Sequence, residues 1–124
     1  KSGLTKSRMN AYKAALDHVM REQEAYLDPE LTLPLLAERV GCSVNHLSQV
    51  INSGYGMSFY DYVNQHRVQH AKRILNRLDD QAAVLKVAYS VGFNSNSAFY
   101  TAFKKRVGMT PAQFRRAHVA DQSP

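Results

Sequence analysis

The feature that most constrains this chain is an internal repeat. Ala37 and Gly41 stand four residues apart, and Ala88 and Gly92 repeat that spacing 51 positions later. This spacing is typical of a helix-turn-helix unit, because the small alanine lets a second helix approach and glycine tolerates positive φ at the turn. The similarity continues through six further pairs, offset by 52 positions: Ser43/Ser95, Leu47/Phe99, Ile51/Phe103, Gly56/Gly108, Met57/Met109 and Tyr62/Phe114. The chain therefore contains two copies of one unit, and the second copy has one extra residue in its turn.

The second helix of each copy is the candidate recognition helix. In the second copy, Ser95 is placed to cap this helix, and an apolar stripe follows at helical spacing: Ala98, Phe99, Ala102 and Phe103. The opposite face is polar and carries no acid: Asn96, Ser97, Tyr100, Thr101 and Lys104. A polar face without acids, on the second helix of such a pair, indicates a reader of DNA bases.

The rest of the chain also predicts helices. No run of β-branched residues alternates with polar ones, so we expect an all-α fold of about seven helices. A leading amphipathic helix is expected from Ser7 or Arg8 to about Tyr26, because apolar residues recur there at helical spacing. Asp28-Pro29 should end it, since a residue before proline is pushed away from the α region.

Capping sequences predict where two further helices begin. Thr32 is placed to cap the first helix of the first copy, whose apolar residues are expected to point inward: Leu35, Leu36 and Val40. Thr110-Pro111-Ala112-Gln113 combines an N-cap, a proline at the first helical position and a capping-box glutamine. The final helix is expected to end near His118 and to present Arg115 and Arg116 to solvent.

A connecting helix is expected between the two copies, from Ser58 to about Leu78. A helix of roughly 20 residues spans about 30 Å, and successive major-groove segments lie about 34 Å apart. Such a connector could hold two recognition helices in adjacent groove segments, although a long helix at the centre of a bundle would have the same pattern. The expected organisation has five parts: a leading helix (1–30), the first helix-turn-helix (31–57), the connector (58–79), the second helix-turn-helix with the C-terminal helix (80–118) and a frayed tail (119–124).

The charge distribution suggests a polyanionic partner. The formal net charge is +6, and the stretch from Ala82 to Ala120 contains no acid and accounts for the whole excess. Phosphate contacts are expected from the helix N-termini at Ser43, Ser58, Ser95 and Thr110, and from Lys104, Lys105, Arg115 and Arg116. For any one of these basic residues, a solvated side chain is an equally good interpretation.

The sequence contains no pattern typical of an enzyme, a metal site or a cofactor site. The one cysteine, Cys42, excludes an internal disulfide and fits a reducing cytoplasm. His66 and His70 stand four apart on the expected connector without an obvious third ligand, so surface positions are the better interpretation. Asp79-Asp80 lies at a break between helices, where turn residues are expected.

Three stretches of the chain resemble the DNA-binding domain of AraC/XylS-family transcriptional regulators. The most specific is VAYSVGFNSNSAFYTAFKKRVGMTPAQFR, and the first copy and the connector agree with LAERVGCSVNHLSQVI and GMSFYDYVNQHRVQHAKRIL. The resemblance covers about Leu31 to Arg116. The N-terminal part further resembles family members whose DNA-binding half follows a membrane-embedded sensor region.

The resemblance implies two helix-turn-helix subdomains, each with its second helix in the major groove. Base-reading residues would then be Asn45, His46, Ser48 and Gln49 in the first copy, and Asn96, Ser97, Tyr100, Thr101 and Lys104 in the second. Family members often have arginine at the positions of Gln49 and Thr101. Because asparagine and glutamine pair best with adenine and arginine with guanine, we expect an A/T-leaning site. Arg67 lies where the family usually keeps arginine. Its implied role is to tie the subdomains together through an ion pair or hydrogen bonds, and the alternative is a phosphate contact.

The resulting hypothesis is sequence-specific binding of double-stranded DNA by the output domain of a regulator, usually an activator that contacts RNA polymerase. The chain begins at Lys1 rather than Met, so we expect a piece of a longer protein with a sensor or dimerisation region upstream. The expected location is the cytoplasm, with the full-length protein a candidate for membrane tethering. The alternative is a basic, all-helical protein-interaction domain that has no sequence preference for DNA.

Overall fold

A computed structural model describes residues 3–77 and 81–122, and every regular element in those residues is helical. The described residues form seven α-helices: α1 (Lys6–Arg21), α2 (Leu33–Val40), α3 (Val44–Gln49), α4 (Phe59–Leu75), α5 (Val87–Ser90), α6 (Asn96–Val107) and α7 (Pro111–Gln122). Short 3-10 turns occupy Ala25–Leu27 and Gln81–Lys86, and a π-helical segment occupies Val50–Gly54. The prediction of an all-α fold is confirmed. None of the described helices combines the length and the apolar character that a membrane span requires.

The chain divides into two compact units, Lys1–Val63 and Asn64–Pro124. The division falls within α4, so its first residues belong to the first unit and the remainder to the second. Each unit contains one helix-turn-helix: α2 with α3 in the first, and α5 with α6 in the second.

The leading helix of the first unit ends earlier than predicted. α1 ends at Arg21 rather than near Tyr26, because Glu24 adopts a left-handed conformation with φ of 50° and the chain reverses into a 3-10 turn. This turn brings Ala25 and Tyr26 into the core, where they are 2% and 3% exposed. Tyr26 therefore reaches the core through a change of chain direction and not through its position on the helical stripe.

The first helix of the first motif begins as predicted but packs with a different face. Thr32 caps α2, since its Oγ1 accepts a hydrogen bond from the amide of Leu35 over 3.3 Å. Leu36 is fully buried, whereas the side chain of Leu35 is 44% exposed, so the prediction that Leu35 points inward was wrong. Leu36 and the half-buried Val40 stand one turn apart on the buried stripe, and Leu35 lies beside that stripe.

The core of the second unit is a row of aromatic rings. Phe93 contacts Phe99 with ring centroids 5.4 Å apart, and Phe99 contacts Phe103 at 5.6 Å. Phe103 in turn contacts Phe114 of α7 at 5.6 Å. Tilted and edge-on pairs at these separations are favourable beyond the area they bury. The row therefore fixes α6 between the loop that follows α5 and the C-terminal helix.

Two further helix ends differ from those expected. α4 has 17 residues and spans about 25 Å. It ends at Leu75, its last buried residue, because the chain then turns and the amide of Arg77 donates to the carbonyl of Ile74. The predicted end at Leu78 and the break at Asp79-Asp80 lie outside the described residues. α7 continues to Gln122, beyond the predicted end near His118.

Candidate nucleic-acid interface

The turn of the first motif combines a glycine in the left-handed conformation with two backbone hydrogen bonds. Gly41 has φ of 89°, and its amide donates to the carbonyl of Ala37 over 2.8 Å. The amide of Cys42 donates to the same carbonyl over 3.1 Å. Oγ of Ser43 then accepts from the amide of His46 over 3.0 Å, so the N-cap of α3 lies two residues after the glycine. Leu47 is fully buried and anchors α3 to the core.

The four predicted base-reading residues of the first motif all lie on α3, but they differ in availability. Asn45 is exposed, whereas His46, Ser48 and Gln49 are half-buried. The ring of His46 lies against the ring of Tyr12 from α1, with centroids 5.8 Å apart. A side chain packed on another helix is less available to bases than Asn45, so His46 is better placed to orient α3 than to read DNA.

Sequence reasoning missed Asn52, which supports the first recognition helix. Nδ2 of Asn52 donates to Oγ of Ser48 over 3.1 Å. The four-residue spacing, which is typical of neighbouring side chains on one helix face, is the signal in the sequence for this pair. Nothing in the sequence predicted the π-helical conformation of the segment that carries Asn52. Within that segment, the carbonyl of Ile51 accepts from the amides of both Tyr55 and Met57, each over 3.2 Å.

The second motif reaches the same arrangement with a shorter first helix. α5 has four residues and continues directly from the 3-10 turn Gln81–Lys86. Gly92 has φ of 102°, and the amide of Phe93 donates to the carbonyl of Ala88 over 2.9 Å. Oγ of Ser95 accepts from the amide of Ala98 over 3.1 Å, so the N-cap of α6 lies three residues after the glycine. The longer turn places Phe93 in the core.

The polar face of α6 is open to solvent along most of its length. Ser97, Thr101 and Lys104 are exposed and Tyr100 is half-buried, whereas Phe99 and Phe103 on the opposite face are fully buried. A shallow depression of about 410 Å³ runs along this helix, and its described lining consists of Tyr100, Thr101, Lys104 and Lys105. This face therefore joins a ring, a hydroxyl and two ammonium groups on one accessible surface.

Asn96 has a more restricted position than its neighbours on α6. The residue is half-buried, and its Oδ1 is buried without a hydrogen-bond partner among the residues that the structure describes. The oxygen is therefore turned away from solvent. Of the two polar atoms of this amide, Nδ2 is the better candidate for a contact with a base.

Two of the predicted phosphate-binding side chains of the second unit are exposed lysines, and a third is an exposed arginine. These residues are Lys104, Lys105 and Arg116. Arg115 is only 8% exposed, so the prediction that α7 presents it to solvent was wrong. Arg115 follows the buried Phe114 and lies one turn after the buried Pro111, which puts it on the inward side of α7.

The hydroxyl groups at the predicted helix N-termini are already used as caps. Oγ of Ser58 accepts from the amide of Asp61 over 3.1 Å. Oγ1 of Thr110 accepts from the amide of Gln113 over 3.1 Å, while Oε1 of Gln113 accepts from the amide of Thr110 over 2.9 Å. This is the reciprocal pair that a capping box requires. The groups left for an anion are the other backbone amides of each first turn.

Arg67 has a structural position inside the second unit. It is 7% exposed, and its guanidinium carbon lies 5.5 Å from the centroid of the Phe93 ring. A cation over an aromatic face is favourable, and more so when it is desolvated. This contact fastens α4 to the turn between α5 and α6. The predicted tie between the subdomains stays a prediction.

The described residues contain no group of three or more His, Cys, Asp and Glu side chains that could hold a metal ion. Burial raises the pKa of the Cys42 thiol. A thiol with a raised pKa is a poor nucleophile at neutral pH, since the thiolate is the reactive form.

Comparisons with known proteins agree with this geometry. Residues 36–117 match a family model described as a helix-turn-helix domain. The chain is 29% identical over 114 residues to the HTH-type transcriptional regulator GlxA of Rhizobium meliloti (strain 1021), and the alignment covers 92% of the chain and 35% of GlxA. The chain thus spans about a third of that curated relative.

Two solved structures have the same fold. One is the C-terminal domain of AraT, a response regulator from Geobacillus stearothermophilus, with a TM-score of 0.70, 29% identity and coverage of 86% of this chain and 84% of that one. The other is the DNA-binding domain of AdpA, a global transcriptional factor, in complex with a target DNA. Its TM-score is 0.69 at 26% identity, with coverage of 91% of this chain and 93% of that one. The chain therefore belongs to the family of AraC-type helix-turn-helix domains, the DNA-binding domains of transcriptional regulators.

Proposed function

We propose that this chain is the output domain of a transcriptional regulator and binds a specific site in double-stranded DNA. The recognition helices α3 and α6 would each enter a segment of the major groove, in two successive segments. The observation that carries the proposal is the exposed face of α6, where polar and basic side chains lie together without an acid. The AdpA domain of similar fold is described in complex with a target DNA, which supports the same partner for this chain.

The positions of the predicted base-reading side chains suggest how base reading is shared between the two helices. On α3, Asn45, Ser48 and Gln49 would contact bases, with His46 orienting the helix against α1. On α6, Ser97, Thr101 and Lys104 are the exposed candidates, while Tyr100 would meet thymine methyl groups or sugar through its ring. Neither set contains arginine, and amide side chains pair best with adenine, so the proposed site leans towards A/T.

Affinity would come largely from contacts with phosphates. Lys105 and Arg116 are exposed, and the first-turn amides at the capped N-termini supply further donors. Such contacts position a protein on the duplex without reading its sequence. They also make binding weaken as salt rises, because each neutralised phosphate releases counterions.

Selection of bound sites from a random duplex library tests the proposal. We expect an enriched consensus with A/T-rich positions under both recognition helices. When Thr101 and Lys104 are replaced by alanine, the base preference under α6 should be lost. A matched control is Gln69→Ala, an exposed residue of α4 outside both recognition helices. A library that shows no enrichment at any salt would instead favour a protein-interaction domain, and a strongly G-rich consensus would contradict the proposed reading groups.

The wider role is proposed from the family. The full-length protein would carry a sensor or dimerisation region upstream, act in the cytoplasm as an activator and contact RNA polymerase beside a promoter. In vitro transcription from a promoter with the selected site tests this role. Stimulation by this chain would support contact with polymerase, and a decrease in transcript would indicate a repressor.

A further inference from the structure

The leading segment of the chain runs alongside the first recognition helix. The Tyr12 ring lies against the His46 ring, with centroids 5.8 Å apart. Further towards the N-terminus, a β-carbon at Gly3 would lie 4.0 Å from Nε2 of Gln49, so the backbone of Gly3 is close to that amide. Both contacts reach residues predicted to lie at the DNA surface of α3. The segment from Gly3 to Tyr12 therefore borders the first reading surface.

Arg8 is held on the side of α1 that faces α3. Its Nη2 donates to the hydroxyl of Tyr12 over 2.9 Å, and its guanidinium carbon lies 5.7 Å from the centroid of the Tyr12 ring. The two residues are four apart on the helix, so they share one face. Arg8 is exposed, and the hydrogen bond to Tyr12 uses one of the five N–H donors of a guanidinium. A planar guanidinium fixed in this way matches the geometry of a phosphate.

Charge within the first unit is segregated, although its total is close to neutral. Residues 1–16 contain four basic residues and no acid: Lys1, Lys6, Arg8 and Lys13. The acids of this unit all follow, from Asp17 onwards. The ammonium group of Lys13 lies 4.8 Å from the centroid of the Tyr55 ring, so this residue is directed towards Tyr55. Among the described residues, Lys6 and Arg8 are the exposed cations at this end of α1.

We propose that Arg8 binds a DNA phosphate next to the base pairs that α3 reads, which extends the DNA interface onto the leading helix. This inference rests on the proposed function above. Phosphate contacts fix position and add affinity without sequence information. Arg8 would therefore strengthen binding to every duplex and leave base preference unchanged.

Salt-dependent binding of variants of the whole chain tests this role. Arg8→Gln removes the charge but keeps an amide that can donate to the Tyr12 hydroxyl. We expect affinity for the selected and for the scrambled duplex to fall together, by about threefold to tenfold, and the slope of log K against log salt to decrease by about one. Arg8→Lys should keep the slope of the unaltered chain, because the charge is retained.

Arg21→Gln is the matched control. It is an exposed arginine at the opposite end of the same helix, and its Nε lies 3.6 Å from Oδ1 of Asp17. We expect its slope and affinity to match those of the unaltered chain. Tyr12→Phe, which keeps the ring against His46 and the charge of Arg8, should also keep the slope.

Two results would overturn the inference itself. An unchanged slope in Arg8→Gln would make Arg8 a solvated side chain braced on Tyr12. Weaker binding with an unchanged slope and an altered base preference would mean that Arg8 acts through Tyr12 and His46 on the geometry of α3. If the unaltered chain itself shows no sequence preference, the proposed function on which this inference rests is wrong. That result is seen in the unaltered chain, before any variant is measured.

Discussion

Asn52 donates a hydrogen bond from Nδ2 to Oγ of Ser48 over 3.1 Å, so a residue beyond α3 orients a side chain that we propose contacts a base. We expect Asn52→Ala to reduce the preference for the correct base under Ser48 by about twofold to tenfold, the worth of one hydrogen bond. Competition binding with duplexes changed at that position measures the effect. Ser53→Ala, an exposed neighbour, is the control, and an equal effect in both variants would show that Asn52 has no specific role.

Replacement of Gly41 or Gly108, two glycines in the left-handed conformation, should destabilise the folded protein through the backbone alone. Their φ angles are 89° and 88°, and a β-carbon at either would meet nothing within 4 Å. Gly41→Ala and Gly108→Ala should therefore each lower the free energy of unfolding by about 1 to 2 kcal/mol, the cost of a left-handed alanine. Urea denaturation followed by circular dichroism measures this. Steric clash, and not the backbone conformation, would be the cause if either cost were several times larger.

Truncation of Phe103 should remove the centre of the aromatic row in the second unit. Its ring contacts both Phe99 and Phe114, with centroids 5.6 Å away in each case. We expect Phe103→Ala to cost about 3 to 5 kcal/mol, which is a large part of the stability of a small domain. Tyr60→Ala, at a side chain that is 66% exposed, should cost less than about 0.5 kcal/mol. Thermal melts that coincide for the two variants would contradict the packing described.

Tyr62 should make the stability of the first unit fall in alkaline solution. Burial is the main cause that raises the pKa of Tyr62, with Tyr55 and Asp17 adding to it. The unfolded chain releases this proton near pH 10 while the folded chain keeps it, so the contribution is full below about pH 10 and is lost as pH rises further. The loss is at most about 1.4 kcal/mol per pH unit. Urea unfolding at increasing pH should show a steeper fall for the unaltered chain than for Tyr62→Phe, and parallel curves would refute the assignment.

Features set by nearby residues were the ones that could be predicted from the sequence. Ser43, Ser95 and Thr110 were identified as caps because a cap depends on side chains within three positions. The glycine at each turn was identified for the same reason, since positive φ is a property of one residue.

Features that depend on the tertiary fold could not be predicted in this way. The left-handed Glu24 that ends α1 has no local signal, because positive φ is uncommon for a residue with a β-carbon. Arg115 is charged and adjacent to the exposed Arg116, yet it is buried beside Phe114. The contact between Tyr12 and His46 joins segments that are distant in sequence. In the proposed interface, this contact is the reason why His46 is assigned to orienting α3, while its predicted base reading stays a prediction.

Whether this chain distinguishes one DNA sequence from others is measured by its affinity for the selected duplex relative to a scrambled duplex. Fluorescence anisotropy over a series of salt concentrations provides both dissociation constants. We expect the selected site to be bound on the order of a thousandfold more tightly, and both affinities to fall as salt rises. Equal affinities at every salt concentration would show that the chain has no sequence preference.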